Sequence, residues 1–153
     1  SNLLNALKYF KSFNLIFTAP NADHGHQIIS KAIKSFVKRN KNSFYIKSFG
    51  RGDFLSCLKY SQIILGNSSS GIIEAPSLGT LSINLGNRQR GRLHAMSVVN
   101  CDLNSLTIKK NIELMLKKNI KDKKKFFKNP YYKKNTSNLM IKYLEKLNYK
   151  NLI

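Results

Sequence analysis

Ile63-Ile64-Leu65-Gly66-Asn67-Ser68-Ser69-Ser70-Gly71-Ile72-Ile73-Glu74-Ala75-Pro76 (residues 63–76) changes character twice. Ile63-Ile64-Leu65 is an apolar run of the kind that forms a buried strand. Small and hydroxyl residues follow. A short helix is then predicted from Ser68 to Ala75, ending near Pro76 and Gly79. A strand that passes through a Gly/Ser turn into a helix is one unit of a parallel α/β sheet.

The same alternation extends outward. Leu15–Ala19 reads as a strand stopped by Pro20-Asn21, and Phe44–Ile46 as a second. Leu81–Leu85 and Ser97–Val99 continue the series after Ile63–Leu65. Between them, Ile28, Ile29, Ala32, Ile33, Phe36 and Val37 recur at helical spacing from Gln27 to Arg39. Asp53 is placed to cap a helix running through Tyr60. An opening helix spans Leu3 to Phe13, and two more close the chain at Leu103–Lys118 and Thr136–Leu147. The fold class expected is α/β, a Rossmann-like parallel sheet with helices on both faces. The chain has 153 residues, which suits a single domain over 1–153, and no internal repeat is visible.

No run of about 18 apolar residues is present to span a membrane. The opening Ser1-Asn2-Leu3-Leu4 lacks a charged start, a cleavage site and an initiator Met. A fragment of a longer cytoplasmic protein is therefore expected. Cys57 and Cys101 have neither a second Cys nor a His at metal-ligand spacing, so both are expected to be reduced thiols.

The net charge is +20. Residues 104–153 carry 14 lysines against Glu113, Asp122 and Glu145, for +11 of that total. Such a balance attracts polyanions. The basic residues are nearly all Lys, and Asn is also abundant, a pairing that an AT-rich coding sequence produces by itself. Phe126, Phe127, Tyr131 and Tyr132 lie among the lysines of Lys121–Lys134. They are either base-stacking rings or rings docked on the domain with lysines facing water, and the second reading is preferred.

Ligands of doubly wound sheets sit outside the strands' carboxyl ends. Gly66–Gly71 lies at such an end and opens a helix, whose free N–H groups and partial positive charge suit a phosphate. Ser68 and Ser69 add hydroxyl donors; a plain Ser N-cap is the alternative. Glu74 lies six residues beyond Ser68, about 9 Å along a helix. A carboxylate there repels phosphate but accepts the hydroxyls of an attached ribose. After the fourth strand comes Asn87-Arg88-Gln89-Arg90-Gly91-Arg92, in a chain whose only other arginines are Arg39 and Arg51. Arginine pairs bidentately with phosphate oxygens and keeps its charge. The two loops together suit a diphosphate held without metal, since no acidic cluster is visible. His24-Gly25-His26 lacks a third ligand and is read as a loop or a helix start.

Residues 66–77 and 83–92, with Ala19-Pro20-Asn21-Ala22-Asp23, closely resemble the UDP-N-acetylglucosamine 2-epimerase family over roughly Leu15 to Cys101. The GNSSSG and RQRGR blocks resemble its hydrolysing branch, used in sialic and legionaminic acid synthesis. The SGGxQEE and TERPE blocks of the non-hydrolysing branch are absent. This resemblance implies the two-domain fold of GT-B glycosyltransferases, with this chain as the C-terminal, UDP-holding domain. By position it implies Ser68 and Ser69 at the diphosphate, Glu74 at the ribose and Arg88 near the phosphates. Asn21 and the backbone of Phe49 would lie near the nucleoside. Asn67, Arg92 and His94 are candidate substrate contacts.

The family reaction eliminates UDP to give a glycal, adds water and releases N-acetylmannosamine. Its acid and base carboxylates, and a functional His, belong to sequence upstream, so this chain is expected to be inactive alone. No cofactor is implied. The implied partners are UDP or UDP-N-acetylglucosamine, the missing N-terminal domain and further copies of the parent, with no membrane and no specific nucleic acid. A GT-B glycosyltransferase domain and a basic nucleic-acid-binding module are the rival readings.

Overall fold

The computed structural model describes residues 1–21 and 25–147. In chain order the elements are α1 (Asn2–Leu7), β1 (Leu15–Thr18), α2 (His26–Arg39), β2 (Ser43–Ile46), α3 (Gly50–Tyr60), β3 (Ile63–Gly66), α4 (Ser70–Ile73), α5 (Ala75–Leu78), β4 (Leu81–Leu85), β5 (Val98–Cys101), α6 (Ser105–Leu116), α7 (Lys123–Phe126) and α8 (Thr136–Lys146). The α/β class expected from the alternation is what the chain adopts. Every strand pair is parallel, but the ladder is in two pieces, β1-β2 and β3-β4-β5. No backbone hydrogen bond joins the two pieces among the described residues. Side chains of both share one core.

Strand alternation sorts the two faces. Leu81, Ile83 and Leu85 of β4 point to the side of Ile63, Leu65, Val99 and Cys101, matching the register Leu65↔Ile83 and Leu85↔Cys101. On that side pack Leu4 and Leu7 of α1, Phe36 of α2, and Ile108, Ile112 and Met115 of α6. Phe17 meets Phe36 edge to face with ring centres 5.7 Å apart. Ser82 and Asn84 of β4 point to the opposite face, which α4 covers. Helices therefore flank both faces of this sheet. Among the described residues no helix is long and apolar enough to cross a membrane.

Several boundaries differ from expectation. The opening helix stops at Leu7, and Phe10 and Phe13 continue as single turns. The Asn42 side chain takes over there, donating to the Phe10 and Phe13 carbonyls at 3.2 and 2.6 Å. Helix α3 starts three residues before Asp53, so Asp53 sits in the first turn rather than at the cap. Its carboxylate still meets the positive end of the helix. Ile28 and Ile29 of α2 are exposed. A 14-residue helix is about 21 Å long and a four-residue strand about 13 Å, so the first turn of α2 overhangs the sheet. Burial pushes the Cys101 thiol above its usual range, opposed by the Asn111 side chain and reinforced by nearby Asp102. Cys57 is half-buried, and both thiols are free.

Gly71 sets the distance between α4 and β4. A Cβ there would lie 2.6 Å from Ser82 Oγ, and Ser82 is buried. Gly71→Ala is expected to destabilise the chain by about 1–3 kcal/mol. Adding Ser82→Ala removes the clashing hydroxyl and should recover much of the loss. Urea denaturation of the three variants measures this, and a single Gly71→Ala as stable as the parent excludes the close approach.

Candidate functional site

The site is built where β3 and β4 end side by side, with Gly66 paired to Asn84. From β3 the chain passes through Asn67, Ser68 and Ser69 into α4. Ser68 is exposed and Ser69 half-buried. The Ser68 hydroxyl accepts from the Ser70 N–H at 3.3 Å, while the Ser68 and Ser69 carbonyls accept from Gly71 and Ile72 at 3.2 and 2.9 Å. The turn is thus held by its own serines.

The single helix expected over Ser68–Ala75 is two four-residue helices that meet at Glu74. Pro76 explains the break, because it has no N–H to offer the Ile72 carbonyl. One turn of helix carries little macrodipole, so anion affinity here rests on individual N–H and hydroxyl donors and on the neighbouring arginines. Glu74 stands at the vertex of the break. Its Oε2 is buried and no described group hydrogen-bonds it. A buried acceptor left unpaired costs free energy in the folded protein. A ligand carrying hydroxyl donors removes that cost.

The arginine loop leaves β4 through Gly86, whose φ of 73° lies in the left-handed region that glycine tolerates best. Arg88, Arg90 and Arg92 are all exposed. Between the first two, Gln89 is only 8% exposed. Its Nε2 donates to the Asn67 carbonyl at 2.8 Å, and its Oε1 accepts from Arg92 at 2.9 Å. One side chain therefore ties the serine loop to the arginine loop and orients Arg92. Gln89 passed in the sequence as a spacer within RQRGR. The available signal was that it is the block's one neutral side chain with both a donor and an acceptor.

The other candidates are placed less centrally. His94 is exposed, with Nδ1 3.1 Å from the Ala95 carbonyl and Nε2 3.4 Å from Asn100 Nδ2. Asn100 Oδ1 in turn accepts from buried Asn84 at 2.8 Å. Both ring nitrogens of His94 therefore have protein partners. Asn21 is exposed after β1, and Phe49 is half-buried at the start of α3. Among the described residues no hydrogen bond links either to the serine or arginine loop. Ala22, Asp23 and His24 lie outside the described residues, which removes half of the His24-Gly25-His26 pattern from view.

The aromatic residues of the Lys-rich stretch divide. Phe126 is buried and its carbonyl accepts from the Ser97 N–H at 3.1 Å, and Phe127 packs on it edge to face. Tyr131 and Tyr132 are exposed. Docked rings with solvated lysines describe the first half of the stretch only.

Fold and site together define a parallel α/β domain in which a serine turn and an arginine loop meet at adjacent strand ends. The family model described as UDP-N-acetylglucosamine 2-epimerase matches residues 1–145, and the chain belongs to that family. The match is wider than the Leu15–Cys101 segment that carries the motifs. Polysialic acid biosynthesis protein P7 of Escherichia coli is 39% identical over 140 residues, covering 87% of this chain and 34% of that protein. GDP/UDP-N,N'-diacetylbacillosamine 2-epimerase (hydrolyzing) of Campylobacter jejuni is 35% identical over 105 residues, covering 68% and 27%. The chain thus spans about a third of the length of the curated relatives it matches. The crystal structure of UDP-GlcNAc 2-epimerase from Neisseria meningitidis bound to UDP-GlcNAc shares the fold, with a TM-score of 0.65 at 21% identity, over 95% of this chain and 40% of that one.

The Gln89 bridge makes a prediction about the site's rigidity. Gln89→Met keeps the length and loses both hydrogen bonds, and should cost about 1–3 kcal/mol in urea denaturation. Gln89→Glu keeps an acceptor for Arg92 but turns an oxygen toward the Asn67 carbonyl, so it should also be less stable than the parent. Parent-like stability in both variants excludes the bridge as a structural link.

Proposed function

We propose that this chain is the UDP-holding, C-terminal domain of a hydrolysing UDP-N-acetylglucosamine 2-epimerase. The observation that carries the reading is the Gln89 link, which places an arginine loop against a serine turn one helical turn from a buried, unpartnered carboxylate oxygen. Ser68, Ser69 and Arg88 hold the diphosphate, and Glu74 accepts the ribose hydroxyls. Asn21 and the Phe49 backbone border the nucleoside. Asn67, Arg92 and His94 lie on the sugar side. The hydrolysing type is supported by the name of the Campylobacter jejuni relative.

In the parent reaction, UDP leaves from C1 of UDP-N-acetylglucosamine as the C2 proton is removed, giving a glycal. Water then adds to give N-acetylmannosamine. The groups that move protons belong to the part of the parent outside this chain. What this chain contributes is stabilisation of the leaving group. Negative charge grows on the β-phosphate as the glycosidic bond breaks, and the Arg88 guanidinium with the hydroxyl and N–H donors of the serine turn stabilises that charge. Alone, the chain is inactive. The sugar is either N-acetylglucosamine or a 2,4-diacetamido-trideoxy analogue, as the name of the Campylobacter jejuni relative suggests.

Calorimetry with UDP tests the assignment. Arg88→Ala should weaken UDP by about tenfold, the worth of one charge-assisted pair, and leave uridine within about twofold. Ser68→Ala should act in the same direction with a smaller effect. No heat at millimolar UDP with the parent chain removes the site.

A further inference from the structure

We propose that Asn129 is the positioning residue for Glu74, so that the Lys-rich stretch after α6 acts as a strap that sets the ribose-binding carboxylate. This rests on the reading of Glu74 given above.

The geometry is local and complete. Asn129 Nδ2 donates to the Ile73 carbonyl at 2.7 Å and to Ser77 Oγ at 2.6 Å. Asn129 Oδ1 accepts from the Tyr131 N–H at 2.9 Å. Pro130 between them offers no N–H, so the oxygen turns to the next residue, as in an Asx turn. A carbonyl only accepts and an N–H only donates. The Ile73 and Tyr131 partners therefore fix which end of the amide faces which way. Both nitrogen hydrogens and the oxygen are then engaged.

The two acceptors on the far side are the residue before Glu74 and the residue three after it. One amide thus spans the vertex where α4 gives way to α5. Glu74 Oε2 receives no hydrogen bond from any described residue. With no hydrogen bond to hold it, that carboxylate follows the backbone from which it projects, and Asn129 clamps that backbone on both sides of Glu74. The strap is itself anchored, since Asp122 caps α7 through the Lys125 N–H at 2.9 Å and Phe126 is buried beneath it. This explains an otherwise unassigned segment: its lysines face water while one asparagine reaches back across 56 residues to the site.

Calorimetry with UDP and 2′,3′-dideoxy-UDP tests the inference, because a loss of fold lowers both affinities whereas a displaced Glu74 lowers only the first. The parent chain should prefer UDP by about tenfold, the worth of a hydrogen bond to a charged group. Glu74→Ala should bring that ratio close to one. Asn129→Ala should do the same, with 2′,3′-dideoxy-UDP affinity within about twofold of the parent. Ser77→Ala, which removes one arm of the clamp, should reduce the ratio partly, and it carries the test if Asn129→Ala does not fold. Equal losses for both ligands in Asn129→Ala, or an unchanged ratio in a folded Asn129→Ala or in Ser77→Ala, overturn the proposal while leaving Glu74 at the ribose. An unchanged ratio in Glu74→Ala overturns both.

Discussion

The close approach of α4 to β4 is the constraint on which the site depends. Gly71 lies against Ser82 so tightly that no Cβ fits between them. The site face of β4 is accordingly made of Ser82 and Asn84, while Ile83 and Leu85 fill the core on the other side. A larger residue at 82 or 71 lifts the serine turn off the sheet. Gln89 then no longer reaches the Asn67 carbonyl. Small residues in this strand and turn are therefore a packing requirement before they are a chemical one.

Much of the fold was legible because it depends on local pattern. All five strands were read from short apolar runs, and Leu81–Leu85 matched residue for residue. Alternation of strand and helix left little choice but parallel pairing. What was not legible depends on how long neighbouring elements are, or on single side chains that meet across the chain. Ile28 and Ile29 lie on the apolar stripe of α2, yet the strands beneath are too short to cover them. The helix read from Leu3 to Phe13 ends at Leu7, and beyond it Asn42, 29 and 32 residues away, bonds the Phe13 and Phe10 carbonyls. The motif residues of the site were read as types suited to a task. Gln89 and Asn129, which connect those motifs, look like ordinary polar residues until the chain brings their partners near.

The charge distribution separates general attraction from recognition. A net charge of +20 draws any polyanion, and salt screens that attraction over about 8–10 Å. Lysine suits this role as a hydrated, mobile charge. The arginines behave differently. Arg92 is tied by Gln89, whose side chain also links the arginine loop to the serine turn. A guanidinium held in this way presents its paired donors in a fixed plane, which matches phosphate geometry. Net charge registers both kinds of cation equally; residue type separates them in the sequence, and the Gln89 contact then fixes Arg92 in the fold.

In the proposed role, holding a leaving group, fixed donors matter most. Hydrogen bonds that bind the ground state and the transition state equally do not lower the barrier between them. A donor that must first reorganise loses part of its worth at the moment charge develops. The serine turn is bonded within itself, the arginine loop is bonded to it, and the break at Glu74 is clamped from the far end of the chain. Each bond removes a freedom that the site otherwise loses on binding. The four-residue helix at the serine turn has too little dipole to attract phosphate strongly by itself. Rigidity in the loops compensates for that weakness, because fixed individual donors at the correct distance act where a long helix's field does not.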